Sequence, residues 1–220
     1  MHWDNEYKQQ KHVWGKGPSE LAVFTAGYLK QHPPTAKTPS IIDLGCGYGR
    51  DVFYLAQNIR CSVLGIDVSP EALNLAEGSR PEKSQNEIKF EQQDFLALPA
   101  GNKYDVVFTS NIYHLLGPEE RVRFRDIIKS ILNPQGMLFM SVMSVRDPQH
   151  YGKGTPVAGE SNSFVDKVYL HLCSEEELRE DFGFLIVREL QEKPYDEPRS
   201  NGETHHHLIW LLAGQKSAVN

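Results

Sequence analysis

The sequence predicts an α/β domain built on an open, mostly parallel sheet, and three observations predict it. Apolar runs of strand type alternate along the chain with segments of helical period. One such run, Ile41-Ile-Asp-Leu44, passes through three alternate glycines, Gly45, Gly47 and Gly49, straight into a helix. Later runs end on Asp67, Asp94 and Asn111, and open α/β sheets present their ligands at the carboxyl ends of strands.

Residues 1–17 form a polar leader with Trp3, Tyr7 and Trp14 and no long apolar periodicity. It is either a flap that closes over a ligand, with Tyr7 and Trp14 against it, or a leader that its aromatics anchor to the core. Aromatic faces attract a cation by about 0.5–2 kcal/mol, depending on desolvation. Pro18 and Ser19 open a helix that stops at Pro33-Pro34.

The glycine turn comes next. Its glycines permit positive φ and remove Cβ where a ligand must touch backbone, beside the positive end of the following helix. A dinucleotide turn, G-x-G-x-x-G, would place its third glycine at position 50, which is Arg50. Asp43 has no place in that fingerprint either. A glycine turn without a ligand remains the plain alternative.

The second strand, Cys61-Ser-Val-Leu-Gly-Ile-Asp67, ends in an acid 18 residues past Gly49. An acid about 20 residues past such a turn accepts from ribose hydroxyls. Helix capping is the other reading, although Ser69, followed by Pro70, already supplies a cap. Residues 78–87 read as a polar surface loop. The third strand ends at Asp94-Phe95, where a carboxylate and a ring suit an adenine amino group and its face; an ordinary turn aspartate is the alternative.

The fourth strand, Tyr104 to Asn111, runs into Ile112-Tyr113-His114. If the first and fourth strands are neighbours, Asn111, Tyr113 and His114 face the reacting centre. His114 is then a candidate general base, since an ordinary imidazole titrates near neutrality, or else a structural histidine. A helix from Pro118 to Leu132 and a break at Asn133-Pro-Gln-Gly136 precede the fifth strand, whose methionines read as core filler.

Periodicity disappears from 145 to 167. A loop of that length is usually functional or mobile, and here it reads as an acceptor-side lid offering His150, Tyr151 and Lys153. Ser174 and Glu177 form a capping box. The last two strands, Phe184–Leu190 and Leu208–Ala213, have no helix between them and should pair antiparallel. His205-His206-His207 lies between those strands. Only His205 and His207 share a face, and no metal is expected.

The whole order resembles the class I S-adenosylmethionine-dependent methyltransferase domain, over about residues 18–214. That resemblance implies a three-layer, Rossmann-like, seven-stranded sheet, mostly parallel, with the last strand antiparallel. It implies S-adenosylmethionine as cofactor and S-adenosylhomocysteine as product. Asp43, Gly45, Cys46, Gly47 and Gly49 match the methionine-side loop, Asp67 with Val68 the ribose site, and Asp94 with Phe95 the adenine contact; Asn111 belongs to the same set. Asp-Leu-Gly-Cys-Gly-Tyr-Gly-Arg is also similar to the loop of tellurite-resistance and thiopurine-type small-molecule methyltransferases.

The amino-methylating nucleic-acid enzymes carry an Asp/Asn-Pro-Pro-aromatic tetrapeptide after the fourth strand, where this chain has Ser110-Asn-Ile-Tyr113. A formal charge of −6 gives no nucleic-acid footprint, and no apolar run approaches a membrane span. Three cysteines, Cys46, Cys61 and Cys173, form no paired framework, which favours the reducing cytoplasm. The expectation is one domain, 1–220, acting on a small molecule, with Tyr113, His114, His150 and Tyr151 toward the acceptor. Alternatives are a non-catalytic S-adenosylmethionine-binding protein and a nicotinamide-dependent oxidoreductase. Oligomeric state leaves no mark on the sequence.

Overall fold

Alternation along a few central strands sorts the side chains of this protein into two cores. The computed structural model describes residues 2–15, 17–82, 84, 86–99, 101–198, 202 and 204–218; parts of the leader, of the 78–87 loop and of the connection before Thr204 lie outside them. In β1 (Ser40–Leu44), Ile41 faces one layer while Ile42 and Leu44 face the other. In β4 (Tyr104–Ser110), Val106 and Phe108 join the first layer and Val107 the second. Strands buried on both faces read as near-continuous apolar runs, which is how these segments read in the sequence.

The first layer is closed by α2 (Glu20–Gln31) and α3 (Arg50–Asn58), through Leu21, Val52 and Leu55. The second is closed by α5 (Pro118–Ile131) and α6 (Glu175–Asp181), through Phe124, Ile128 and Leu178. Between them, β2 (Ser62–Asp67) and β3 (Glu87–Gln92) extend one edge, with α4 (Pro70–Gly78) between them in the chain. On the other side lie β5 (Leu132–Met143), β9 (Leu185–Pro198) and β10 (Thr204–Lys216).

The sheet order is β3-β2-β1-β4-β5-β10-β9. Only β10 runs against its neighbours, pairing antiparallel with both β5 and β9. The expected seven-stranded, mostly parallel sheet with an antiparallel last strand is therefore the observed one.

Several local expectations hold in detail. Ser19 Oγ accepts the Ala22 N–H at 3.1 Å, and Ser69 Oγ the Ala72 N–H at 3.1 Å, so both serines cap as their sequence positions predict. Other expectations are corrected. The leader is helical at α1 (His2–Gln10), and Asp4 ties it down by accepting from Ser69 Oγ at 2.9 Å and from the Glu71 N–H. The 145–167 segment is not structureless. With the residues after it, it forms a small antiparallel sheet, β6 (Thr155–Pro156), β7 (Ser163–Val165) and β8 (Tyr169–His171), whose strands are too short to show a period. The capping box is half made: Ser174 Oγ accepts the Glu177 N–H, but the Glu177 carboxylate turns to His171 Nε2 at 2.5 Å.

No helix among the described residues is long and apolar enough to cross a membrane.

Candidate active site

The carboxyl ends of five strands converge on one cavity of about 370 Å³. Asp43 and Gly45 reach it from β1, Asp67 and Val68 from β2, Phe95 from just beyond β3, Ser110 and Asn111 from β4, and Met143 from β5. This is the crevice where the chain runs from β1 to β2 on one side while β4 lies on the other, the switch point of an open α/β sheet.

The glycine loop is held from below. Ile66 O accepts both the Gly45 N–H (2.9 Å) and the Cys46 N–H (3.0 Å), tying the loop to the end of β2. At Gly47, φ is +53°, and a Cβ there would stand 2.8 Å from the Tyr7 hydroxyl. Tyr7 is buried, and its hydroxyl takes the space that a side chain at residue 47 would fill. Gly49 is a different case. It caps α3 at φ +77°, and its missing Cβ makes room for Phe90 and Ala76, away from the cavity. Its role is packing of helix on strand.

Asp67 Oδ2 accepts the Gly47 N–H at 2.9 Å and its Oδ1 the Ser69 N–H at 2.9 Å. A carboxylate has about four acceptor positions, so each oxygen keeps capacity for a hydroxyl. Burial raises the Asp67 pKa while these backbone donors pull it down. Asp43 is 2% exposed, and burial first, then Asp51 and Asp67, hold its pKa well above the usual carboxylate range. Asp51 accepts the Ser19 N–H at 2.7 Å. Three carboxyl groups thus surround this end of the cavity, with Arg50, which donates to Trp14 O, as the cation among them.

That donor set suits a cationic ligand that carries hydroxyls. A pyrophosphate would meet the Asp51 and Asp67 carboxylates, which disfavours the dinucleotide reading. Trp3, Tyr7 and Trp14 line the same end.

At the other end stand His114, His150 and His207, with Met143 and Asn111. Asn111 adopts φ +60°, an uncommon conformation for a residue other than glycine, and Ser141 holds it by donating to its Oδ1 at 3.2 Å. His114 is 5% exposed. Burial, and then the neighbouring His207, His150 and His171, push its pKa down to about 3. The Met143 N–H donates to Nδ1 at 3.4 Å, so the neutral ring carries its proton on Nε2. A ring in that state is neutral at neutral pH and donates a hydrogen bond from Nε2.

Besides Gly49, four sequence-predicted residues, Tyr113, Tyr151, Lys153 and Asp94, do not line the cavity. Tyr113 is fully buried among Phe124 and Phe182, its hydroxyl donating to Asp181 Oδ2 (2.5 Å) and accepting from Arg125 (2.7 Å). The short helical turn after β4 rotates it away from its neighbour His114. Tyr151 is exposed, bonded to Asn162 and packed on Phe164. Asp94 is exposed as well, and its Oδ1 accepts the Leu96 N–H as the cap of a 3₁₀ turn, which leaves the cavity to Phe95.

Sequence reasoning missed Arg50, Asp51, Tyr48 and His207. Asp51 and Arg50 were readable only as the start of a helix, and His207 was read only together with His205, as a polar strand entry or an acceptor contact. Its position on β10 opposite Tyr195 of β9 comes from strand register alone.

The family described as a methyltransferase domain matches residues 36–202. A methyltransferase of Synechocystis is 27% identical over 151 residues, covering 67% of this chain and 68% of its own. The ribosomal RNA small subunit methyltransferase J of Coxiella burnetii is 33% identical over 111 residues, covering 47% and 41%. The chain thus spans about two fifths to two thirds of the length of these curated relatives. Among solved structures, the 1,6-didemethyltoxoflavin-N1-methyltransferase of Burkholderia thailandensis, with 1,6-didemethyltoxoflavin and S-adenosylhomocysteine bound, superposes with a TM-score of 0.63 at 18% identity, over 90% of this chain and 79% of its own. At that identity the likeness is one of fold.

Proposed function

The chain belongs to the methyltransferase-domain family, and on that premise we propose that it transfers a methyl group from S-adenosylmethionine to a small-molecule acceptor. The observation that carries the proposal is continuity: a single cavity joins the acid-and-glycine end to the histidine end. A cofactor at one end and an acceptor at the other would share one cavity, as in-line transfer requires.

When bound, S-adenosylmethionine supplies a methyl carbon already activated by its sulfonium. The work left to the protein is orientation and exclusion of water, and well-oriented reactants gain around 7–11 kcal/mol of the barrier. Asp67 has the spare acceptor capacity for ribose hydroxyls, and Val68 and Phe95 are the apolar flank for the base. The loop 45–47 allows close backbone approach, and Asp43, Asp51 and Arg50 face the amino acid moiety. Tyr7, Trp3 and Trp14 close this end against water. At the acceptor end, His114 holds a proton on Nε2 and donates it as a hydrogen bond that orients the acceptor, without removing the acceptor's proton. His150 and Asn111 complete that wall.

One relative methylates ribosomal RNA. Against a polymer acceptor here stand the net charge of −6 and the aromatic leader helix over the cavity. The test is incubation with methyl-labelled S-adenosylmethionine and separate panels of thiols, phenols, chalcogen oxyanions, small amines and ribosomal RNA. Label should pass to a small molecule with stoichiometric S-adenosylhomocysteine. Transfer to RNA alone would overturn the acceptor class, and binding without any turnover would favour the non-catalytic alternative.

A further inference from the structure

The acceptor end of the cavity holds a cluster of which methyl transfer, as described, uses only His150, as part of the wall. Asp147, His150 and His207 each present one ligand atom, a carboxylate oxygen or a ring nitrogen, and these atoms lie within 4.8 Å of one another. His150 Nδ1 stands 3.0 Å from Asp147 Oδ1, and His207 Nδ1 stands 3.9 Å from Asp147 Oδ2. The two imidazole rings face each other with centroids 4.9 Å apart. Asp147 is 0% exposed.

What places these groups is independent of their mutual contact. Asp147 Oδ1 accepts the Gln149 and His150 N–H groups (2.9 and 2.8 Å), which fixes the turn that carries His150. Its Oδ2 accepts the Leu208 N–H at 2.6 Å, which fixes β10 beside that turn and with it His207. Backbone hydrogen bonds therefore bring together two segments about sixty residues apart and leave imidazoles from both on the cavity wall.

We propose that Asp147, His150 and His207 bind a divalent transition-metal ion, zinc in the first instance, whose open coordination position takes an acceptor bearing an ionisable thiol or hydroxyl group. Two imidazoles and one carboxylate are a donor set for borderline ions, and three protein ligands with a fourth position left open are the pattern of catalytic rather than structural zinc. Metal–ligand bonds of about 2.0–2.2 Å hold adjacent ligand atoms roughly 3–3.5 Å apart. The His150–Asp147 spacing already meets this, and since the three ligand atoms lie within 4.8 Å of one another the widest pair needs to close by up to about 1.3 Å. Binding exchanges the metal-bound water for the acceptor's sulfur or oxygen and releases the acceptor's proton to solvent. The heteroatom then stands in the cavity as an anion with no protein base required, in keeping with a His114 that stays neutral. This reading of the acceptor rests on the methyl-transfer proposal; the metal site itself does not.

The test uses the full chain after dialysis against a chelator. Cobalt(II) is added and followed by its visible d–d absorption, zinc binding is measured by competition, and benzenethiol is then added to the cobalt form. S-adenosylhomocysteine binding is measured on the same preparations by calorimetry. We expect one equivalent of metal and a thiolate-to-metal band with benzenethiol. Affinity should fall roughly tenfold or more in His150→Ala, His150→Gln and His207→Ala. His206→Ala should bind metal like the wild type, because His206 is exposed and paired with Asp196 at 2.6 Å. Asp147 is left intact because it holds the backbone. Absence of stoichiometric binding, or binding that survives the His150 and His207 substitutions, would overturn the site. Metal bound without a thiolate band would overturn the acceptor class. Metal binding without S-adenosylhomocysteine binding would leave the site standing and remove the cofactor reading, so the two failures are distinguishable.

Discussion

The protonation state of His114 decides whether the acceptor end works by proton removal or by orientation, and it can be measured as stability. An exposed histidine titrates near 6.5, whereas burial first, and then His207, His150 and His171, push His114 down to about 3 in the folded protein. Between those values the unfolded chain takes up a proton that the folded ring refuses. The folded state therefore loses stability as pH falls from about 6.5 toward 3. At pH 5 the unfolded histidine is almost fully protonated, and the penalty is about 2 kcal/mol. Any folded value below about 4 gives nearly the same figure, because at pH 5 the folded ring is then neutral in either case. In His114→Asn an acceptor for the Met143 N–H remains and the titration is gone. Urea unfolding of both proteins at pH 8 and pH 5, with chelator present, gives the difference directly, since groups common to both cancel. The wild type should lose about 2 kcal/mol more than the variant between the two pH values. Equal losses would mean that His114 titrates like an exposed histidine, and the general-base role would return.

Two further substitutions separate the cavity from its supports. In Gly47→Ala the new methyl group meets the Tyr7 hydroxyl at 2.8 Å in a left-handed backbone conformation. Stability should fall by about 1–2 kcal/mol and cofactor affinity should fall with it; an unchanged affinity would mean that Tyr7 and the loop do not shape the cofactor end. Tyr113→Phe deletes the hydroxyl shared by Asp181 and Arg125. It should cost about 1–3 kcal/mol in thermal or urea unfolding while leaving acceptor KM unchanged, and a raised KM would restore Tyr113 to the acceptor site.

The order of elements was legible because each central strand is buried on both faces, so that Ile41, Ile42 and Leu44, or Val106, Val107 and Phe108, read as near-continuous apolar runs. Asp67 was legible because its distance from the glycine turn is fixed by one βαβ unit. Residues whose direction depends on a local turn were not: Tyr113 and His114 are adjacent, and a single 3₁₀ turn sends one into the second core and the other to the cavity. Asp94 failed for a related reason, since a strand-end aspartate serves equally well as a cap. The cluster of Asp147, His150 and His207 was out of reach, because it depends on the register of β10 and on one hydrogen bond between Leu208 and Asp147. The small sheet β6-β7-β8 escaped because strands of two or three residues carry no period.

Calorimetric titration with S-adenosylmethionine, S-adenosylhomocysteine and NADH, on the wild type and on Asp67→Ala, bears on the cofactor site most directly. The first two ligands should bind and NADH should not. The substitution should weaken binding by about 1.5–3 kcal/mol, the loss expected on removing charge-assisted hydrogen bonds to the ribose. Binding of NADH in place of the sulfonium ligand, or an affinity indifferent to Asp67, would contradict the assignment of this cavity.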